Sequence, residues 1–266
     1  MIGAIAGDVI GSIFEGASQK STDFKMFQPY SIFTDDTVMS IAVADAIMNN
    51  NEDFITSLRS WGQKYPKAGY GGRFYGWLFS ENPEPYGSWG NGAAMRVSPV
   101  GFAFDSEEEV LKKAEKTAAI THNSEIGIQG AQANALAVFM ARNGADKKAI
   151  KDKLEKLFNY NLSRSLDDIR PDYSFEVKAD RSVPEAIIAF LESENVEDAI
   201  RKAISLGGDS DTQACIAGGI AYAYYKEISE EIRKEVYRRL KPDMIAVLEK
   251  FEEKYLGAFH PQFMNK

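Results

Sequence analysis

Along most of this chain apolar residues recur at three- and four-residue intervals, the spacing that gathers them on one face of an α-helix. Val38 to Met48, Glu107 to Ala119, Glu125 to Ala141 and Ile232 to Phe251 all carry this pattern. The alanine-rich stretch Gly130 to Ala141 reads as a buried helix packed closely on its neighbours. Period-two alternation, the mark of a half-buried strand, is scarce. Its best example, Tyr173 to Val177, is short and runs into a charged loop. The pattern predicts an all-α fold of many moderate helices.

Glycine interrupts that pattern in four places: Gly3 to Gly16, Gly69 to Gly76, Gly87 to Gly101 and Gly207 to Gly219. Gly3, Gly7 and Gly11 recur every four residues and so share one helix face, which predicts close backbone packing there. Asp8 lies inside the same apolar stretch, where an unpaired carboxylate is costly, so backbone or neighbouring polar groups should satisfy it. Asn159 to Arg181, punctuated by Pro171, reads as an ordered linker or long surface loop. Thr34-Asp35-Asp36-Thr37 and Asp209-Ser210-Asp211-Thr212 echo each other too briefly to be a repeat. A length of 266 residues permits one large domain or two small ones, and one domain over 1–266 is the better reading.

Composition narrows the chemistry. Cys215 is the single cysteine, which excludes an intramolecular disulfide and any cysteine-cluster metal site. With only His122 and His260, a histidine-built zinc site is disfavoured too, so any metal would be held by oxygen. The net charge of −8 implies no basic face, and no nucleic-acid partner is expected. No stretch is long and apolar enough to span a bilayer. The apolar start, Met1 to Phe14, lacks a basic lead-in and carries Asp8, unlike a signal peptide. A soluble, cytoplasmic protein is expected.

Two acidic clusters then stand out, Thr34-Asp35-Asp36-Thr37 and Gly207-Gly208-Asp209-Ser210-Asp211-Thr212, each followed at once by a helical run. Either cluster alone reads well as a helix start, because Asp, Ser and Thr are preferred N-caps and acids complement the dipole. A cap needs one side chain, however, and each cluster brings two carboxylates with hydroxyls beside them. Adjacent carboxylates repel unless a cation neutralises them, and hard divalent cations favour such an oxygen-rich shell. Two facing helix starts would suit a pair of cations. Caps and metal ligands both remain open on these grounds.

The middle of the chain offers Gly69-Tyr70-Gly71-Gly72-Arg73 and Gly90-Asn91-Gly92-Ala93-Ala94-Met95-Arg96, loop-to-helix junctions whose backbone N–H groups suit phosphate oxygens. Neither continues as a Walker loop. Thr121-His122-Asn123-Ser124 precedes another helix, which Asn123 or Ser124 would cap. His122 is either a ligand contact or a satisfied structural histidine. Glu15, beside Gly16, is either a solvated acid or a group projecting into a cleft. Cys215 lies on an apolar helix and reads as core rather than nucleophile.

Taken in order, Gly7-Asp8-Val9-Ile10-Gly11-Ser12 with Glu15, Thr34-Asp35-Asp36-Thr37, Gly90 to Arg96, Thr121-His122 and Gly207 to Thr212 resemble the ADP-ribosylglycohydrolase family, which includes the dinitrogenase reductase-activating glycohydrolases. The likeness runs from Gly3 to about Tyr225. It implies a compact orthogonal multi-helix bundle with a central dinuclear cleft holding two Mg²⁺ (or Mn²⁺). By the same resemblance Thr34, Asp35 and Asp36 bind one ion, and Asp209, Asp211 and Thr212 the other, with Asp211 bridging. Glu15 matches a mobile glutamate near the metals. Asn91, Gly92 and Met95 match the loop that holds ADP-ribose, His122 a residue lining its path and, more loosely, Gly71 and Gly72 a loop near the phosphates. Lys226 departs from the glycine found in many relatives, and the chain is shorter than many of them.

The expected activity is metal-dependent hydrolysis of a glycosidic bond to ADP-ribose, on arginine or serine side chains. Glu15, Asp35 or Asp36 would activate the water, and Tyr70 would support the adenosine. The expected partner is an ADP-ribosylated protein or an ADP-ribose-containing small molecule, and the expected state a monomer. Hydrolysis of a free ADP-ribose conjugate or other small glycoside, and ADP-ribose binding without turnover, are the alternatives.

Overall fold

A computed structural model describes residues 1–49 and 51–257, so His260 lies outside the described residues. The helices are α1 (Ile2–Gly11), α2 (Asp35–Asn49), α3 (Phe54–Lys64), α4 (Gly72–Phe79) and α5 (Gly92–Met95). Next come α6 (Ser98–Ala103), α7 (Glu107–Ala119), α8 (Glu125–Arg142), α9 (Lys147–Phe158) and α10 (Leu166–Ile169). The chain continues through α11 (Ala179–Leu191), α12 (Val196–Ile204), α13 (Ser210–Tyr225), α14 (Glu230–Arg239) and α15 (Pro242–Leu256). The fold is thus all-α, and the four helical runs read from the sequence are helical.

One run differs. Ile232 to Phe251 is split into α14 and α15, because Pro242 cannot continue a helix and instead opens the next one, leaving Leu240 extended. Tyr173–Val177 forms no strand. Its only sheet-like tie among the described residues is the antiparallel bridge between Gly90 and Lys178 at its end. The Asn159 to Arg181 segment is a long connection with the short α10 inside it.

At the centre lies α13, buried from Ser210 to Ala223, with α1, α8, α11 and α12 packed against it. Helix α1 is buried along its whole length. Its glycine face meets α13 in antiparallel order. A Cβ on Gly3 would lie 2.3 Å from the Gly218 oxygen, one on Gly7 2.0 Å from the Ala214 oxygen, and one on Gly11 2.5 Å from the Asp211 Cα. No side chain fits at these three positions, so the helices touch backbone to backbone. At the far end of α13, Lys226 adopts the left-handed conformation (φ 64°) that favours glycine in a C-cap.

Candidate active site

The close approach of α1 and α13 determines where the acids meet. Asp8 sits in the second half of α1, Asp209 and Asp211 at the start of α13, and Asp35 and Asp36 at the start of α2. Oxygens of Asp8, Asp36 and Asp211 come within 4.8 Å of one another, and so do those of Glu15, Asp209 and Asp211. Asp211 belongs to both groups.

Asp8 holds this arrangement from behind. Its Oδ1 accepts from the Thr34 hydroxyl (2.6 Å), and its Oδ2 from the backbone N–H groups of Thr34 (3.0 Å) and Thr37 (3.1 Å) and from the Thr37 hydroxyl. A carboxylate on α1 therefore caps α2 from outside. It also aims the Thr34 oxygen toward Asp36, whose Oδ2 is 3.5 Å away. Across the cleft floor the Thr212 hydroxyl donates to the same Asp36 Oδ2 at 3.2 Å. The Asn91 amide donates to Asp209 Oδ2 at 2.7 Å, tying the Gly90 loop to the acids.

The acids at the starts of α2 and α13 differ from the helix starts elsewhere in the molecule. Asp53, Ser106, Ser124, Asp146, Ser165, Asn195 and Ser229 each occupy an N-cap and accept the expected backbone N–H. Asp209 also occupies an N-cap, yet its side chain makes no capping bond. Asp36 Oδ1 is buried without any hydrogen-bond partner. Asp36 Oδ2 instead meets the Thr34 and Thr212 hydroxyls, and Asp209 Oδ2 the Asn91 amide.

Burial and mutual repulsion set the electrostatics. Asp35 is pushed up to about 8, first by burial and then by the charge of Asp8. Asp36 and Asp211 are driven well above the usual carboxylate range by burial, then by neighbouring carboxylates, with Asp8 leading for Asp36 and Asp36 leading for Asp211. Asp209 is raised by burial, against the hydrogen bonds from Asp211, Asn91 and Thr212. Glu15, at the exposed mouth, is raised by partial burial and then by Asp209 and Asp8. A divalent cation would relieve all of these at once, and the donor set of carboxylates and threonine hydroxyls fits a hard cation.

The acids form one end of a cleft of about 410 Å³. Gly69, Gly71 and Gly72 line one side, and Gly90, Asn91, Gly92, Met95 and His122 another. Aromatic Tyr86, Trp89 and Phe175 complete the wall, with Trp89 and Phe175 about half exposed at its rim. Backbone bonds from Asn91 N to Val177 O (2.8 Å) and from Ala179 N to Trp89 O (3.0 Å) hold the two rim segments together. Gly207 and Gly208, both in the left-handed region at φ 72° and 106°, turn the chain into α13 beside Ser174 of that same rim.

Comparison with known proteins matches this chain to one family. The sequence model of the ADP-ribosylglycohydrolases matches residues 1–261. The chain belongs to the ADP-ribosylglycohydrolase family. It is 30% identical to ADP-ribosylhydrolase ARH3 of Gallus gallus, over 85% of this chain and 84% of that protein. ARH3 of Xenopus tropicalis is 29% identical over 85% and 86%. ADP-ribosylarginine hydrolase Tri1 of Pseudomonas putida is 24% identical over 85% and 69%. A solved ADP-ribosylglycohydrolase-related protein complex shares the fold, with a TM-score of 0.73 at 23% identity over 92% and 94% of the two chains.

Within this family fold, Glu15, Asp35, Asp36, Asp209, Asp211, Thr212, Gly71, Gly72, Asn91, Gly92, Met95 and His122 all reach the cleft. Thr34 stands just behind it, against Asp8. Tyr70 does not line it: its ring packs on Phe74, 5.6 Å between centroids, and its hydroxyl is buried. Asn91 spends its amide on Asp209. The aromatics Tyr86, Trp89 and Phe175 were not singled out from the sequence: Tyr86 and Trp89 lie in a segment without period, Phe175 in the short alternating stretch, and the Gly90–Lys178 bridge joins the two only in the fold.

Proposed function

We propose that this chain is a metal-dependent ADP-ribosylhydrolase that removes ADP-ribose from modified protein side chains, arginine N-linked or serine O-linked. The observation that carries the reading is the group of buried carboxylates at one end of the cleft, whose oxygens come together and leave Asp36 Oδ1 without a partner. Names of the relatives support the substrate class, and that of the Pseudomonas putida protein specifies arginine. Two Mg²⁺ (or Mn²⁺) would be held there, one by Thr34, Asp35 and Asp36 and the other by Asp209, Asp211 and Thr212.

Such ions, when bound, would supply Lewis acidity and the positive charge that the carboxylates lack. The protein's own groups do the rest. Glu15 has a raised proton affinity and stands at the mouth, so its carboxylate takes the proton of the attacking water. Asp35, also raised, is the second candidate for that proton. As the bond to the leaving group lengthens, positive charge develops on the sugar, and the acidic end of the cleft stabilises it. Backbone N–H groups of the Gly71–Gly72 turn receive phosphate oxygens, and Trp89 and Phe175 offer ring faces for the adenine.

We read residues 1–266 as one domain acting as a cytoplasmic monomer on ADP-ribosylated protein, with no nucleic-acid or membrane partner. Among the described residues no helix is long and apolar enough to cross a membrane. The test is release of ADP-ribose from ADP-ribosyl-arginine, ADP-ribosyl-serine and small conjugates, with Mg²⁺ and with chelator. Turnover of one linkage that chelator stops is expected; turnover of none, or turnover indifferent to chelator, overturns the reading.

A further inference from the structure

Behind the Gly90–Gly92 wall runs a short chain of hydrogen bonds that fixes the protonation of a cleft residue. Arg96 is fully buried, and among the described residues no carboxylate pairs with it. Its Nη2 donates to the Thr117 carbonyl (2.7 Å) and to Thr121 Oγ1 (2.9 Å). A guanidinium has no acceptor, so the threonine oxygen must accept this bond. Thr121 Oγ1 in turn lies 2.8 Å from His122 Nδ1, and the hydroxyl makes no third contact among the described residues.

One proton settles the direction. If Nδ1 carried a hydrogen, the hydroxyl would accept twice and its own proton would have no acceptor at a residue with no solvent exposure. That orphan would add to the two buried donors, Nε and Nη1, that Arg96 already leaves without a partner, a cost the other tautomer avoids. The hydroxyl therefore donates to Nδ1, and the imidazole proton resides on Nε2. That nitrogen faces the cleft loop: a Cβ on Gly92 would lie 3.1 Å from it and one on Gly90 3.8 Å. No protein acceptor among the described residues takes its proton.

The groups around the ring keep it uncharged. Tyr86 stands 6.1 Å away between ring centroids, the Arg73 guanidinium lies over the far ring of Tyr86, Arg96 stands behind, and α8 contributes backbone at Gly127. None of these is a carboxylate. Burial first, and then the charge of Arg96, hold the imidazole well below the usual histidine range.

We propose that Arg96 and Thr121 lock His122 in the Nε2–H tautomer, so that it presents a neutral hydrogen-bond donor to a phosphate oxygen of the ADP-ribosyl group. The identity of the acceptor rests on the function proposed above; the tautomer does not. With its cleft nitrogen already protonated, His122 cannot act as the base for the water. Arg96 and Thr121 are positioning residues that act through it.

The experiment is nitrogen NMR of ¹⁵N-histidine-labelled protein, in a His260→Gln background that leaves His122 as the one histidine, without ligand. A bare Nδ1 and a protonated Nε2 are expected, unchanged from pH 8 down to about 5.5, one unit below the ordinary histidine value. In Thr121→Val the ring proton should spread over both nitrogens. The Kd for ADP-ribose should rise by the inverse of the remaining Nε2–H population, about twofold for an even mixture. Thr121→Ser should restore both readings. A protonated Nδ1 or a doubly protonated ring at pH 7 overturns the proposal, as does Thr121→Val with the original tautomer. A spread proton with unchanged ADP-ribose affinity overturns the donor role alone. Failure of the hydrolase reading would leave the ligand-free spectra as expected, so the two failures are distinguishable.

Discussion

The two ends of the cleft are built on opposite principles. The acidic end is carried by α1, α2 and α13, two of them buried almost throughout, and its carboxylates raise one another's proton affinity. The rest of the lining is glycine turns, short helices and half-exposed rings, with a neutral histidine, and it meets the acids where Asn91 donates to Asp209. Like charges separate if the backbone yields, so the acids must be mounted where it cannot; helices in backbone contact at Gly3, Gly7 and Gly11 provide that. Recognition of an elongated ligand asks for shape and N–H donors, which loops supply.

The sharpest way to break this contrast is Asp211→Asn. Asn keeps the shape and suits a helix start as well as Asp. Asp211 is the carboxylate shared by both acidic groups, so the change removes charge from both. Turnover should fall at least about 10³-fold, the scale of losing a principal electrostatic contributor, and metal affinity should fall with it. Metal-free protein should melt no lower than wild type, since the lost charge is one that burial and Asp36 already oppose. Near-normal turnover in single-turnover assays would return both clusters to the role of plain helix starts.

Next in size is Gly7→Ala. Its methyl group would lie 2.0 Å from the Ala214 oxygen, so α1 and α13 must part. Overpacking of this kind costs about 1–3 kcal/mol. Because Asp8 and Asp211 travel with those helices, metal affinity measured by calorimetry should fall as well as the melting temperature. A variant that melts lower but binds metal normally would show that the spacing of the acids does not depend on this contact.

These sites were unequally legible beforehand. The glycine face of α1 and the paired acids could be read because both are local patterns, three or four residues in period or four in length. Helix α7 runs from Glu107 to Ala119, the span its apolar spacing predicts. The cap that Asp8 gives to Thr34 and Thr37, 26 and 29 residues away, could not be read, since no local signal names a partner at that distance. Nor could the turning of Tyr70 onto Phe74, or the assembly of Trp89 and Phe175 at one rim. The split at Pro242 was visible in the sequence but masked by the unbroken apolar spacing on either side.

A smaller effect is expected from pH. Asp35, ordinarily 3.8 and here raised to about 8, binds its proton more tightly in the folded chain than in the unfolded one. Its contribution to stability is therefore complete below about pH 4 and is lost as pH rises toward 8. Asp36, Asp209 and Asp211 shift in the same direction. Chelated protein should accordingly melt lower as pH climbs from 4 to 8, while Mg²⁺, which favours the ionised acids, should raise the melting temperature most at pH 8. Thermal melts that show chelated protein gaining stability across that range would mean the acids do not repel.

The smallest effect concerns the other end of the cleft, and it separates folding from recognition. Gly71 caps α4 and Gly72 begins it, and a Cβ on either would meet nothing within 4 Å. Neither is in the left-handed region. Glycine suits the N-cap at Gly71, but at Gly72 packing gives no reason for it and helix propensity argues against it, by up to about 1 kcal/mol in an interior and less at a first turn. The remaining reason is a ligand whose phosphate must come close to the backbone. Gly72→Ala should leave the melting temperature unchanged or slightly raised, and should weaken ADP-ribose binding several-fold by holding the phosphate away from the N–H groups. Calorimetry and a melt on the same sample decide it. Unchanged affinity would remove the Gly71–Gly72 turn from the binding surface and leave the phosphates to the Gly90 loop and His122.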